Sequence, residues 1–261
     1  MNKAQKLRKS IKEKFRKRDK IFGGWLSFED QSIAELFSSI NFDFIAIDME
    51  HTTISNKLAK NIITSCNSRG KPCFPRPVSV NEDILKPLLD AGADGIIAPR
   101  VSSSEDLSRL IKNVKYPNLG NRSYGINRAQ LYGLDEKEYF KNWNSSSTII
   151  IQIETVEGVN NLKNILENKE IDGVMIGPYD LSGSLGVAGN LKHKKVLEAS
   201  KYILNICGKH KVSCGTQLSN FDKKIIKETF SKGYNFIILG SDLFALKNWS
   251  IECQKIIKSF K

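Results

Sequence analysis

Residues 148–177 read TIIIQIETVEGVNNLKNILENKEIDGVMIG, and they contain the repeating unit of the whole chain. The run 148–154 is apolar and β-branched without clean alternation, as expected of a strand buried on both faces of a parallel sheet. A stretch with helical periodicity follows at 159–167, and a second apolar run, GVMIG, occupies 173–177. Working outward, the same unit recurs. Strand-like runs lie at FGGWL (22–26), FIAID (44–48), KPCFPR (71–76), GIIAP (95–99), VSCGT (212–216) and NFIILG (235–240). Amphipathic stretches such as IAELFSSI (33–40), ILKPLLDAG (84–92) and KKIIKETFSKG (223–233) separate them. Gly92 and Gly233 stand where left-handed C-caps belong. Eight strands alternating with helices predict a single (β/α)8 barrel rather than an open doubly wound sheet. No GxGxxG or P-loop follows any strand, which removes the usual nucleotide reading. Segment 116–147 is the exception to the rhythm, a long loop of the kind that often carries function.

The 261 residues suit one such barrel, and 40% hydrophobic content supports a sizeable core. The predicted organisation is a basic N-terminal helix, 1–20, followed by the barrel, 21–261. Residues 1–20 carry ten Lys/Arg against two acids, so most of the net charge of +12 is concentrated there. Ala4, Leu7, Ile11 and Phe15 form a narrow apolar stripe, predicted to lie on the barrel with the lysines left in water. The remainder is nearly neutral, so no nucleic-acid partner is expected. No apolar run approaches the roughly 20 residues of a membrane span, and the basic start lacks the apolar middle of a secretory signal. Five scattered cysteines without CxxC or zinc-like spacing read as reduced thiols of a cytoplasmic protein.

In a (β/α)8 barrel the chemistry sits at the C-terminal strand ends. Here those ends are unusually polar: Asp48-Met49-Glu50-His51 after strand two, Arg76 between two prolines after strand three, Gln152-Ile153-Glu154 at strand five, and Gly177-Pro178-Tyr179-Asp180 after strand six. Charges in apolar strands must pair or bind a metal. Glu154 and Asp180, on neighbouring strands, suit a hard divalent ion such as Mg2+ or Mn2+, with Co2+ also accepted. Helix capping is the alternative for Asp180. Arg76 presents a planar fork to a carboxylate or enolate oxygen, or to a rim acid as a structural pair. His51, with Asp48 three residues before it, fits an oriented general base or a satisfied buried histidine.

Together these residues resemble the HpcH/HpaI aldolase family, class II pyruvate aldolases typified by 4-hydroxy-2-oxoheptanedioate aldolase. The likeness runs from about residue 20 to 245. It rests on Phe42-Asp43-Phe44 leading into Asp48–His51, on Arg76-Pro77, Leu89-Asp90-Ala91-Gly92-Ala93, Tyr116-Pro117, Gly120-Asn121-Arg122-Ser123, Gln152-Ile153-Glu154 and the run Gly177–Gly186. The resemblance implies that Glu154 and Asp180 bind the metal, that Arg76 meets the pyruvate carbonyl, and that His51 is the catalytic base with Asp48 orienting it. It further places Gln152 beside the substrate, the backbone of Gly177 and Pro178 at its carboxylate, and Asp90 at a neighbouring subunit's site. It also implies a homo-oligomer, typically a hexamer that exchanges a terminal helix.

Four positions depart from the family pattern. Thr52-Thr53 follow the histidine where Gly-Pro or Ala-Pro is usual, Arg100 replaces Met or Gln, and Gln217 replaces an apolar residue. With Arg122 and Arg128 in the long segment, Arg100 predicts a cationic mouth and a polar or acidic acceptor. The expected reaction joins or splits a pyruvate-like 2-oxo acid and an aldehyde through an enolate. Alternatives are a citrate-lyase-like or citrate-forming enzyme using the same enolate chemistry, and a barrel that binds a 2-oxo acid without turning it over. No strand-end lysine in an apolar setting supports a Schiff base.

Overall fold

The eight runs become eight parallel strands: β1 (Ile21–Leu26), β2 (Phe44–Asp48), β3 (Cys73–Arg76), β4 (Gly95–Ala98), β5 (Thr148–Ile153), β6 (Gly173–Ile176), β7 (Ser213–Leu218) and β8 (Phe236–Leu239). This is a computed structural model, and it describes residues 2–261. The strands are hydrogen-bonded in the order β3-β2-β1-β8-β7-β6-β5-β4. Helices run between successive strands, so the architecture is the α/β barrel that the alternation predicted. The β3–β4 seam lacks a ladder and is bridged by Asp94. Its N–H donates to Cys73 O at 2.9 Å and its carboxylate accepts the Cys73 N–H at 3.0 Å. Gly92 (φ 102) and Gly233 (φ 103) adopt the left-handed conformation that ends their helices.

Two apolar layers hold the molecule. One lies between strands and helices, and the other fills the barrel, where Phe15 meets Phe44 and Phe236 with ring centroids at 5.9 and 5.3 Å. Phe15 belongs to the N-terminal helix, Lys3–Lys17, which closes the end of the barrel where the strands begin. The predicted stripe is only half right. Ile11 and Phe15 are buried, but Ala4 is exposed and Leu7 half-buried. Two of the basic residues are buried instead. Arg8 Nε donates to Asp94 Oδ1 at 3.1 Å, and Lys12 Nζ to Asp172 Oδ2 at 2.8 Å. Asp94 and Asp172 stand just before β4 and β6, so much of the helix's charge answers acids at the strand starts. Removing one partner of such a pair leaves a buried charge, at a cost of about 3–5 kcal/mol.

Segment 116–147 is not a mouth loop. It follows the helix Ser104–Val114 and leads into β5, so topology keeps it at the strand-start end. There it forms a short 3-10 turn, Arg128–Gly133, and a helix, Glu136–Ser146. Trp143 and Tyr139 of that helix are buried and receive the Arg8 guanidinium at 5.0 and 5.2 Å.

Candidate active site

At the opposite end, β2 and β3 pair so that Asp48 stands beside Arg76. Arg76 Nη2 lies 2.8 Å from Asp48 Oδ2, and Nε donates to Oδ1 at 3.1 Å, a two-point grip that fixes the guanidinium plane. Trp25 of β1 lies beneath that plane, 4.7 Å away. The remaining nitrogen, Nη1, faces Gln152 Oε1 at 3.4 Å and Glu50 Oε2 at 3.1 Å. The contact to Glu50 lacks hydrogen-bond geometry, so this buried oxygen has no hydrogen-bond partner.

His51 is largely exposed, and its Nε2 lies 3.7 Å from Glu50 Oε2. The expectation that Asp48 orients the imidazole needs correction. Asp48 Oδ1 accepts the backbone N–H groups of Glu50 at 3.1 Å and His51 at 3.3 Å, and its other contacts go to Arg76. It therefore sets the strand-end backbone, while Glu50 is the acid facing the ring. The Thr52 hydroxyl donates to Asp48 O and accepts the Ile54 N–H, which ties down the turn after β2.

Glu154 is buried at the end of β5. Its Oε1 accepts the Arg100 N–H at 2.9 Å, and its Oε2 accepts from the Gln152 amide. Arg100 delivers that N–H from a left-handed backbone (φ 51), a strained conformation for an arginine. Burial pushes the Glu154 carboxyl up to about 7, with repulsion from Glu50 and Asp180 adding to it. Glu50 is likewise raised, first by burial, and Asp48 and Asp180 act in the same direction. Gly177 is required by close approach, since a Cβ there would lie 2.2 Å from Glu154 Oε2 and 2.7 Å from Gln152 Nε2. Pro178 opens the short helix Pro178–Ser184, whose N-terminus carries no side-chain cap.

Beside these groups lies a cavity of about 350 Å3 lined by His51, Arg76, Gln152, Gly177, Pro178 and Asp180, with Gln217 and Phe244 also in its wall. A smaller cavity of about 220 Å3 lies across His51, Arg76 and Gln217, against Trp25 and Asp48. Both suit a small ligand. The fold thus brings together every predicted site residue but one. Asp90 ends the helix Glu82–Asp90, at the strand-start end, with its Oδ1 2.7 Å from Arg122 Nη2.

The arginines of the long segment do not form the expected cationic mouth. Arg122 is buried against Tyr116 and Trp143, and Arg128 donates to Ala91 O at 2.8 Å and Asn67 Oδ1 at 3.0 Å. Of the three predicted arginines only Arg100, exposed after β4, remains at the strand-end face. The sequence reading also left Glu50 and Trp25 without roles. A glutamate between the assigned Asp48 and His51 was the available signal for Glu50; nothing local marked Trp25.

The sequence profile described as HpcH/HpaI aldolase/citrate lyase matches residues 22–248, a span that includes every one of these strand ends. The chain belongs to that family. HpcH/HpaI membership makes it an enzyme of the carbon–carbon lyase class. Among its relatives is a 2-keto-3-deoxy-L-rhamnonate aldolase of Salmonella typhi, 30% identical over 237 residues, covering 89% of this chain and 86% of the relative. A solved HpcH/HpaI aldolase from Desulfitobacterium hafniense superposes with a TM-score of 0.85 at 25% identity, covering 95% of this chain and 96% of that one. The citrate synthase SbnG shares the fold, with a TM-score of 0.82 at 23% identity and coverage of 95% and 97%.

Among the described residues no three His, Cys, Asp or Glu side chains converge as a ready-made metal cluster. The donor set nevertheless fits one divalent ion bound in the expected way, by two carboxylates with water and substrate oxygens. Glu154, Asp180 and Glu50 repel one another, an oxygen of Glu50 lacks a hydrogen-bond partner, and Gly177 leaves the space beside Glu154 clear.

Proposed function

We propose that the enzyme reversibly cleaves a 4-hydroxy-2-oxo acid to pyruvate, or a close relative, and an aldehyde. The observation that carries this reading is Arg76, gripped by Asp48, stacked on Trp25 and turned into the cavity beside Gln152. Its fixed fork supplies donors where negative charge grows on the 2-oxo oxygen as the C3–C4 bond breaks, commonly the largest single catalytic term. Glu154 and Asp180 would hold Mg2+ or Mn2+ (or Co2+), which supplies Lewis-acid polarisation of the 2-oxo group when bound. His51 takes the C4 hydroxyl proton, directly or through water, and returns a proton in the reverse direction. Glu50 steadies both Arg76 and His51. Gln152 lies beside the oxo acid, and the uncapped N–H groups after Gly177 and Pro178 receive its carboxylate. The test is pyruvate release from a panel of 4-hydroxy-2-oxo acids, with and without chelator. Release abolished by chelator and restored by Mg2+ or Mn2+ supports the reading. Turnover of citrate or acyl-CoA substrates instead moves the enzyme to the citrate-lyase-like alternative.

We also propose a homo-oligomer, expected to be a hexamer. The C-terminal helix Asp242–Ser259 buries only Asp242 and exposes Leu246, Trp249 and Ile256. A second copy of the chain covers this face, and Asp90 approaches a neighbour's cavity.

A further inference from the structure

His51, Arg76, Gln217 and Phe244 line both cavities at the strand-end face, so the two are compartments of one site that meet at these residues. The larger carries Gln152, Gly177, Pro178 and Asp180, the groups assigned above to the metal and the 2-oxo acid. The smaller, of about 220 Å3, has walls of another kind. Trp25, Leu243 and Phe244 give it apolar faces, and Ser27, Ser241 and Gln217 give it neutral polar groups. The buried carboxylate of Asp242 builds this wall. It accepts the N–H groups of Ser27 at 2.8 Å, Phe28 at 2.9 Å and Leu243 at 2.8 Å, and so joins the end of β1 to the start of the C-terminal helix. Ser241 caps that helix, its Oγ accepting the Phe244 N–H at 3.1 Å, which leaves the hydroxyl proton free to donate elsewhere. Gln217 uses Nε2 on Gly240 O at 3.3 Å, which leaves Oε1 to accept. Charge at this wall is already answered. Arg76 is opposed by Asp48 at 2.8 Å and Glu50 at 3.1 Å, and among the described residues no lysine and no second arginine lines the cavity.

We propose that the smaller cavity is the seat of the aldehyde, and that it selects a short, uncharged, hydroxylated one. This rests on the aldolase reading above. With the 2-oxo acid carbons in the larger cavity and the C4 hydroxyl at His51, the carbons beyond C4 extend into the smaller one. A cavity of about 150 Å3 admits a benzene-sized molecule, so this one has room for an aldehyde of about three to five carbons and none for an acyl-CoA. A hydroxyl on that chain accepts from Ser241 or Ser27 and donates to Gln217, while its CH groups lie on Trp25 and Leu243. An aliphatic chain displaces water from the same polar groups and leaves them without partners. A carboxylate lies near Asp48 and finds no free cation to meet it. The acceptor expected from the sequence, polar or acidic, is thereby narrowed to a polar and neutral one.

The experiment offers the full-length enzyme, with pyruvate and Mg2+ or Mn2+, an equimolar mixture of propanal, 2,3-dihydroxypropanal and 4-oxobutanoate, and counts the adducts by mass spectrometry. Exchange of the pyruvate methyl protons in D2O is followed on the same preparation. The dihydroxypropanal adduct should exceed the propanal adduct by about tenfold, the scale of one or two neutral hydrogen bonds. It should exceed the 4-oxobutanoate adduct by about a hundredfold, because that charge is left unpaired. Ser27→Ala and Ser241→Ala should each lower the first ratio by about three- to tenfold. A ratio measured in one vessel does not depend on how much of a variant is folded, and the wild-type ratios decide if neither variant folds. Methyl exchange accompanied by equal use of the three aldehydes, by preference for 4-oxobutanoate, or by ratios that neither serine substitution moves overturns this inference and leaves the aldolase reading standing. Absence of exchange removes the aldolase reading and this inference with it.

Discussion

Asp48 and Arg76 are register partners on β2 and β3, and that backbone pairing brings their side chains into a two-point ion pair with contacts of 2.8 and 3.1 Å. A sheet register thereby fixes the plane of the guanidinium. Arg76→Lys keeps the charge but loses the fork. The expected loss in kcat/KM is about 10²–10³-fold, typical of removing one oriented oxyanion donor. Asp48→Asn should act through the same arginine, so the double variant should lose much less than the two single effects combined. Steady-state kinetics of the three variants check this.

His51→Ala should reduce cleavage by about 10²–10⁴-fold, the usual contribution of a positioned proton-transfer group. Mn2+ affinity, followed by calorimetry, should stay unchanged because His51 lies outside the carboxylate pair. Near-normal turnover would move the base role elsewhere, with Glu50 the nearest acid.

Glu154 sets the pH response of the metal-free protein. Its folded-state carboxyl, pushed up to about 7, binds a proton that the unfolded chain has released by that pH. Stability contributed by this group is therefore present at low pH and lost as pH rises towards 7. Glu154→Gln should flatten the profile between about pH 5 and 7, by roughly 1–2 kcal/mol. Added Mg2+ or Mn2+ should raise the wild-type Tm more at pH 8 than at pH 5, because binding needs the ionised carboxylate. Thermal melts at both pH values, with and without chelator, measure both effects.

Trp249→Glu places a charge on the exposed apolar face of the C-terminal helix. It should dissociate the assembly in sedimentation velocity while circular dichroism stays near wild type. Asp90→Ala should leave the assembly intact but lower kcat. A wild-type monomer with full activity at micromolar concentration would contradict both.

Much of this is legible in the amino-acid sequence. Eight apolar runs separated by amphipathic stretches specify the barrel because both periodicities are local. The strand-end acids, Arg76 and His51 stood out because charges in buried strands need partners. What was not legible depended on distant contacts. Nothing near Arg8 or Lys12 announces Asp94 and Asp172, which receive them across the closed end of the barrel. Arg122 and Arg128 read as mouth residues because segment 116–147 reads as a long functional loop, whereas the helix Ser104–Val114 carries the chain back to the strand-start end before they occur. Glu50 lies beside two residues that were assigned, but its facing of both Arg76 and His51 emerges only once β2 and β3 are in register.

We expect Gln217, rather than a ring of arginines, to set acceptor choice. Gln217 lines both cavities, with its Nε2 donating to Gly240 O at 3.3 Å. Gln217→Leu should shift kcat/KM towards apolar aldehydes by about tenfold, the scale of one buried polar contact. Arg100→Ala should change the use of anionic aldehydes only modestly, and less at high salt. Matched charged, hydroxylated and aliphatic aldehydes in the condensation direction provide the comparison.

The central claim is that this cavity forms the enolate of a pyruvate-like 2-oxo acid, and it can be tested without knowing the aldehyde. Pyruvate is incubated with the enzyme and Mg2+ or Mn2+ in D2O, and loss of the methyl signal is followed by proton NMR. The account predicts exchange into the methyl group that stops with chelator and is strongly slowed in Arg76→Lys. Folded wild-type protein that leaves the methyl signal of pyruvate and its close 2-oxo acid relatives intact with either metal would contradict it.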